Sequence, residues 1–225
     1  MYLVFDTETT GLPKKWNAPL SDSDNWPRCV QLAWQLHDSK GLLISSHSYL
    51  IKPDKYNIPY ESEKIHGIST ALANKIGDDL VSVLDKFILD LNKAGFIIGH
   101  NVKFDLNIIG AELLRINSAV NLLEKDILDT CTELTANVCK IPGGRGGKFK
   151  FPTLIEIYSF LFNDSFSEAH NASADVEATA RVFFELVRTG IINQSVFKGY
   201  PELSDGLRSY DESKVPLFGI KHLNL

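Results

Sequence analysis

The fold is decided by the first eleven residues of the chain, MYLVFDTETTG (residues 1–11). The apolar run from Tyr2 to Phe5 predicts a buried strand, and the Thr-Thr-Gly sequence near its end marks the exit. Residues two apart in a strand point the same way, so Asp6 and Glu8 place two carboxylates side by side at the strand end. Two such groups repel each other unless a cation lies between them. The segment therefore favours a cation site, although D-x-E triplets are also common in acidic surface turns.

Outward from this strand, apolar spacing predicts further strands and a series of helices. The predicted strands cover residues 29–36, 42–51, 96–99 and 127–128, and the predicted helices cover about 80–94, 102–116, 130 onward, 152–162 and 173–187. Asn101 is expected to cap the second helix, and Pro152 to lie in the first turn of the fourth. Strands that come first and then alternate with helices predict an α/β protein, with a mixed five-stranded sheet flanked by helices on both faces.

Two connecting segments stand out by composition. The polar segment 14–28 predicts a long surface loop, and the Gly-rich segment 142–149 predicts the most flexible internal stretch. We hypothesise that Arg145, Lys148 and Lys150 in and beside the second segment grip substrate phosphates, with a solvated linker as an equal alternative.

The motifs described below lie in the first part of the chain. We therefore expect one domain over residues 1–190 and a C-terminal extension over residues 191–225. An apolar segment at 215–220 within the extension is expected to pack on the same domain, with docking of a partner as the alternative.

Charge and cysteine content narrow the functional classes. The chain of 225 residues has 23 basic and 28 acidic residues and a formal charge of −5, so it has no overall cationic field for coating duplex DNA. A site that holds a few nucleotides through metal ions is compatible with this charge. The three cysteines, Cys29, Cys131 and Cys139, form no CxxC pair and favour a reducing, cytoplasmic location. No apolar run approaches the roughly 18 residues of a membrane span, and the N-terminus lacks the pattern of a secretory signal.

Two further motifs place acidic residues at predicted helix starts. The sequence GHNVKFD (99–105) puts Asp105 in the first turn of a helix that follows a strand, a position that the helix dipole alone would also favour. The sequence HNASAD (170–175) puts His170 and Asp175 at the start of the last helix. If His170 stays in the preceding loop, its imidazole lies beside the carboxylate and suits general-base activation of water. Taken alone, a surface or core histidine is the more common interpretation.

Together these motifs resemble the DnaQ-like DEDDh exonuclease family of the RNase H-like superfamily, to which epsilon-like proofreading exonucleases belong. The resemblance covers about residues 1–187 and rests on FDTETTG, KIHGIS (64–69), GHNVKFD and HNASADVEATA. It implies an RNase H-like fold and a 3′→5′ exonuclease that uses two divalent cations to release 5′-mononucleotides from nucleic-acid 3′ ends. DNA is the expected substrate, with trimming of RNA 3′ ends as the alternative.

The resemblance also implies a role for individual residues. The two cations, Mg²⁺ or in its place Mn²⁺, would be held by Asp6, Glu8, Asp105 and Asp175. His170 would accept the proton of the attacking water. The terminal nucleotide, from a single-stranded 3′ end, would contact Thr7, Thr9, Leu12, His66, Ile68 and Asn101. For Leu12 and Ile68 a place in the apolar core is a strong alternative. A polymerase partner is compatible with the family, but the sequence carries no sign of one.

Two other classes of protein fit part of the pattern. Aspartyl-nucleophile phosphatases also carry acidic residues after a first strand, but their second acid is normally Asp, where this chain has Glu8. A nuclease fold retained only as a nucleic-acid-binding module would be expected to lack at least one of the five catalytic residues, and all five are present.

Overall fold

A five-stranded sheet forms the centre of the computed structural model, which describes residues 1–166 and 170–193. Its strands are β1 (Tyr2–Thr9), β2 (Cys29–His37), β3 (Leu43–Leu50), β4 (Phe96–Gly99) and β5 (Asp126–Asp129). They lie in the order β3-β2-β1-β4-β5. β2 runs antiparallel to β1 and β3, whereas β4 runs parallel to β1 and β5. The predicted mixed sheet is confirmed.

Seven α-helices connect and cover these strands in the described part of the chain. They are α1 (Tyr60–His66), α2 (Thr70–Ile76), α3 (Leu80–Lys93), α4 (Lys103–Arg115), α5 (Glu133–Cys139), α6 (Leu154–Phe162) and α7 (Ala172–Arg188). In residues 1–166 and 170–193, no helix combines the length and the apolar character that crossing a membrane requires.

The central strand β1 is buried because both of its faces are covered. Tyr2 and Val4 pack with α7 residues such as Phe183 on one face, whereas Leu3 and Phe5 pack with α3 and α4 on the other. Alternate side chains of a strand point to opposite faces, so the continuous apolar run supplies both cores. The prediction of helices on both faces is confirmed, and β1 is fixed in position from both sides.

Two predicted helix starts are wrong by one or two residues. Val102, not Asn101, is the cap residue of α4, and Asn101 has a left-handed φ of 61°. Asn tolerates this conformation, and the Asp129 carboxylate accepts the backbone amides of Asn101 and Val102, which fixes the turn that leads into α4. Pro152 precedes α6 and does not lie in its first turn, because the Thr153 side chain caps the helix in a capping box with Glu156.

The predicted surface loop 14–28 is a fixed part of the fold. The Asn25 side chain accepts a hydrogen bond from Lys15 N at 2.7 Å and donates one to Lys15 O at 3.0 Å. Trp26 is buried and its Nε1 donates to Pro19 O. Arg115 of α4 donates to Ser23 O and Trp26 O, which ties the loop to the helix.

The described residues end at 193, so most of the expected extension 191–225 and all of its apolar segment 215–220 lie outside them. The boundary expected near residue 190 therefore stays a prediction.

Candidate active site

The C-terminal end of β1 brings together the acidic residues that the sequence singles out. α4 covers one face of the sheet and α7 covers the other, and both helices begin beside this strand end. Carboxylate oxygens of Asp6, Glu8 and Asp175 lie within 4.8 Å of one another. The convergence predicted from sequence is confirmed for these three residues.

Asp105 lies beside this group and is held against β1. It is 4% exposed, and its Oδ1 accepts hydrogen bonds from Thr7 N at 3.0 Å and Thr7 Oγ1 at 2.6 Å. It is not one of the three residues whose oxygens lie within 4.8 Å, but its charge raises the pKa of both Asp6 and Glu8. Asp105 is therefore on the expected edge of the sheet, with one oxygen already bound to Thr7.

Crowding of these carboxyl groups changes their protonation. Burial raises the pKa of Asp6 well above its usual value, and the charges of Asp105, Asp175 and Glu8 raise it further. Burial together with the charges of Asp175 and Asp105 raises the pKa of Glu8 to about 8. Carboxyl groups that share a site cannot all ionise easily without a compensating positive charge.

The pKa values of Asp105 and Asp175 are shifted in the same direction. Burial raises the pKa of Asp105, although its two hydrogen bonds from Thr7 favour the ionised form. Burial also raises the pKa of Asp175 to about 6, against the backbone hydrogen bond and the charge of His170. All four carboxyl groups therefore bind protons more tightly than free Asp or Glu does.

The described part of the chain provides no basic side chain that pairs with these carboxyl groups. Among the described residues, no Lys or Arg forms an ion pair with Asp6, Glu8, Asp105 or Asp175. Carboxylate oxygens at bridging distance are the ligands that Mg²⁺ and Mn²⁺ prefer. The donor set therefore fits hard divalent cations.

His170 lies in the turn before α7, as the convergence with Asp175 requires. It has a left-handed φ of 72°, and its backbone N donates to Asp175 Oδ2 at 3.0 Å. Its side chain is exposed and lines a cavity of about 240 Å³ together with Asp6, Asp175 and His100. His170 and two of the acidic residues thus line the same cavity.

The predicted substrate-contact residues differ in how exposed their side chains are. Leu12 is 73% exposed, so the core alternative is wrong for it. Ile68 is 6% exposed and packs with Val30 and Ile58, as the core alternative expects. A base contact by Ile68 stays a prediction.

His66, at the end of α1, lies close to the site. Burial lowers its pKa, the backbone of Thr9 and the charge of Glu63 raise it, and the charge of His170 lowers it. The protonation of the His66 side chain therefore depends on both the end of β1 and the turn before α7.

The hydroxyl groups near the end of β1 are used within the protein. Thr7 donates to Asp105, and Thr9 Oγ1 donates to Gly11 O at 2.7 Å. Asn101 is exposed at the turn between β4 and α4. Contacts of Thr7, Thr9 and Asn101 with substrate stay predictions.

Asp129, at the end of β5, is a residue beside the site that the sequence analysis did not single out. Its Oδ1 accepts Asn101 N at 2.8 Å and Cys131 N at 2.7 Å, and its Oδ2 accepts Val102 N at 3.1 Å. It thereby fixes the turn that carries Asn101 and leads into α4. Its position at a strand end, like that of Asp6, is a signal that could have identified it.

His100 performs a similar structural task in the same turn. Its ring nitrogens bond Thr130 Oγ1 at 2.9 Å and Pro152 O at 3.1 Å. Burial lowers the pKa of His100 to about 4, so the ring is neutral at physiological pH. The end of β4 is thereby tied to the start of α6.

Comparison with known proteins gives a family and several relatives. Residues 3–183 match the family model described as Exonuclease, of the RNase T type. The 3′-5′ exonuclease DinG of Bacillus subtilis is 27% identical over 187 residues, which is 83% of this chain and 17% of DinG. The DNA polymerase III subunit epsilon of Rickettsia prowazekii is 29% identical over 203 residues, which is 87% of this chain and 76% of the subunit.

A solved structure shows the same fold. E. coli Exonuclease I in complex with a 5cy-dT13 oligonucleotide aligns with a TM-score of 0.65 and 20% identity, over 88% of this chain and 42% of that one. The predicted RNase H-like fold is confirmed by this likeness. The chain spans only 17% of DinG and 42% of Exonuclease I.

Proposed function

The chain belongs to the exonuclease family whose model it matches over residues 3–183, and from this premise we propose that it removes 5′-mononucleotides from single-stranded DNA 3′ ends with two divalent cations. The observation that carries the proposal is the convergence of Asp6, Glu8 and Asp175 oxygens within 4.8 Å at the end of the central strand. The phosphatase alternative is wrong, because the matched family is one of nucleases.

The four acidic residues would hold the cations. Asp6, Glu8 and Asp175 offer converging oxygens, and Asp105 offers the oxygen that Thr7 does not bind. Divalent cations at such a donor set supply activation of the attacking water and stabilisation of the leaving 3′ oxygen. Without them, proton binding by Glu8 and its neighbours is the main relief of the repulsion.

His170 is the proton acceptor in this proposal. Its exposed imidazole lines the same cavity as Asp6 and Asp175, and its backbone bond to Asp175 fixes the turn that carries it. Only the neutral ring can accept the proton that the attacking water loses. Substitution of His170 should therefore remove proton transfer and leave cation binding to the carboxylates.

The substrate end would lie across the exposed residues of the site rim. Leu12 is free to contact the terminal base, and Asn101 is exposed on a turn that Asp129 holds in one conformation. The Thr7 and Thr9 hydroxyls already donate hydrogen bonds within the protein, so neither is a free donor for a phosphate oxygen.

DNA is the substrate that the comparisons favour. Exonuclease I structures contain dT13 and dA16 oligonucleotides, and the relatives include a DNA polymerase III subunit. RNA trimming is the alternative. Action beside a polymerase in the cytoplasm is one setting that fits the proposal.

The test is a side-by-side digestion of 5′-labelled DNA and RNA of one sequence, with Mg²⁺, Mn²⁺ or EDTA. We expect a descending ladder and 5′-mononucleotides from DNA with either metal, and no hydrolysis in EDTA. The matched inactive control is Asp6→Asn. Faster digestion of RNA would reverse the substrate assignment, and no Asp6-dependent hydrolysis of either strand would refute the proposed activity.

A further inference from the structure

An aromatic pair formed by exposed Trp16 and half-buried Phe104 has no role in the chemistry above. Trp16, in the loop 14–28, is 54% exposed, and its ring centroid lies 6.0 Å from that of Phe104 at an interplanar angle of 53°. Phe104 immediately precedes Asp105 and packs against the apolar core. Phe104 is therefore the sequence neighbour of one of the four acidic residues.

The backbone that carries Trp16 is held in place. Lys14 N donates to Asn25 O at 3.2 Å, and the Asn25 side chain binds both backbone polar groups of Lys15. A ring on a fixed backbone loses little conformational entropy when a ligand stacks on it. Trp16 is 54% exposed, so much of its surface is open to contact with a ligand.

Three exposed lysines surround the pair. Lys14 and Lys15 directly precede Trp16, and Lys103 directly precedes Phe104. Among the described residues none of the three forms an ion pair. The loop and the start of α4 thus each present exposed lysines next to an aromatic residue in the sequence.

The Gly-rich segment offers a contrast within the same chain. Lys148 Nζ lies 2.6 Å from Glu133 Oε1, and Lys150 Nζ lies 2.7 Å from Glu156 Oε1. These lysines, which the sequence suggested as phosphate contacts, already have carboxylate partners. The lysines beside Trp16 and Phe104 have none in the described part of the chain.

We propose that Trp16, Phe104, Lys14, Lys15 and Lys103 form a second subsite for single-stranded nucleic acid, which we call the Trp16 subsite. It stacks an unpaired base upstream of the terminal nucleotide on Trp16, and the lysines contact the adjoining phosphates. Aromatic rings interleaved with basic residues are typical of sites that hold single strands, because every base offers a face for stacking. The inference rests on the proposed function, since it assigns the path of the same substrate.

The first experiment compares a long substrate with a short one. Trp16→Ala and Trp16→Phe are assayed on a ten-residue oligo-dT and on the p-nitrophenyl ester of thymidine 5′-monophosphate, which is too short to reach the subsite. Loss of one stacked base should raise KM for the oligonucleotide by about 5- to 150-fold more than for the ester in Trp16→Ala. Trp16→Phe should recover most of this difference. Equal effects on both substrates, or no effect on the oligonucleotide, would overturn the subsite.

A fluorescence measurement tests the subsite without hydrolysis. Trp26 is 3% exposed and Trp34 is fully buried, so Trp16 is the indole that a strand can reach. Oligo-dT added in EDTA should quench the emission of the wild-type protein and leave that of Trp16→Phe nearly unchanged. Failure of the proposed activity would leave this quenching intact, whereas quenching that is equal in both proteins would overturn the subsite alone.

Salt dependence tests the lysines. Each phosphate contact with a single strand contributes about 0.7 to the slope of log K against log salt. The triple variant Lys14→Gln, Lys15→Gln, Lys103→Gln should therefore lower the slope by up to about 2. The variant Lys148→Gln, Lys150→Gln should lower it less per lysine removed, and an equal or larger effect per lysine would refute the assignment of the lysines.

Discussion

Helix α4 carries two buried carboxylates, Asp105 and Glu112, about two turns apart on one face. The groups that surround them differ. Glu112 is fully buried, and its Oε1 accepts hydrogen bonds from Arg28 Nε and Cys29 N, both at 2.9 Å. Arg115 Nη1 lies 3.2 Å from the same oxygen. Asp105 is 4% exposed and meets only the neutral donors of Thr7, beside other acidic groups.

The two regions differ in whether the chain itself balances the charge of its buried carboxylates. The charge of buried Glu112 is balanced by two guanidinium groups of the chain. At the end of β1 the chain provides four acidic residues without a basic partner in the described part, and their pKa values rise. The site is therefore built for a positive charge that comes from solution.

Exchanging each carboxylate for its amide should separate the two regions most clearly. Asp105→Asn removes one charge from the site, so it should abolish hydrolysis and weaken metal binding while the metal-free protein keeps its stability. Glu112→Gln leaves two guanidinium groups without their partner and should lower the free energy of unfolding by about 3 kcal/mol. Activity assays and urea unfolding of both variants measure these effects. A loss of stability of the same size in both would break the comparison.

Substitution of His170 tests proton transfer separately from cation binding by the carboxylates. His170→Ala should lower kcat by roughly 10²–10⁴, the usual contribution of a positioned acid–base group, and should keep metal affinity because the carboxylates are intact. The pH profile of kcat should also change in the variant, because the proton acceptor is gone. Calorimetric Mn²⁺ titration is the control. A variant with wild-type kcat and an unchanged pH profile would contradict the role of His170.

The metal-free protein should lose part of its stability as pH rises. Free Glu titrates near ~4.3, and the pKa of Glu8 in the fold is about 8. A group with a raised folded-state pKa stabilises the fold fully below the unfolded value, and this contribution disappears as pH rises through the folded value. Urea unfolding in EDTA between pH 5 and 8 should therefore show a smaller decline in Glu8→Gln than in the wild type.

The comparison with Glu8→Gln is needed because buried histidines also change the stability with pH. Burial lowers the pKa of His37 and His100 to about 4, so their contribution is lost as pH falls below the unfolded value near ~6.5. This effect opposes that of Glu8 and is common to both proteins. Identical pH dependence in the two proteins would show that Glu8 carries no raised pKa.

Sequence patterns predicted the elements that are long or buried on both faces. The run Tyr2 to Phe5 and the apolar spacing of α3 and α7 extend over enough residues to show their period. The helices α1 and α2 have seven residues each, about two turns, and their spacing gives no comparable signal.

The site itself depended on combining motifs. Each of the three acidic motifs has a plausible structural explanation alone, and only their order along the chain made the resemblance specific. What the sequence could not show are bonds between distant residues. Thr7 reaches Asp105 across 98 positions, and Asp129 binds the amide of Asn101 from 28 positions away.

Thermal melting with added metal tests the central claim most directly, namely that the end of β1 lacks a positive charge which divalent cations supply. At a concentration of Mg²⁺ about 100 times its Kd, binding adds roughly 2.7 kcal/mol of stability. For a domain of this size, the Tm of the wild type and of Glu112→Gln should then rise by about 5–10 °C. Glu8→Gln should show a much smaller rise. Equal rises in the wild type and Glu8→Gln would place the bound cation elsewhere and contradict the account.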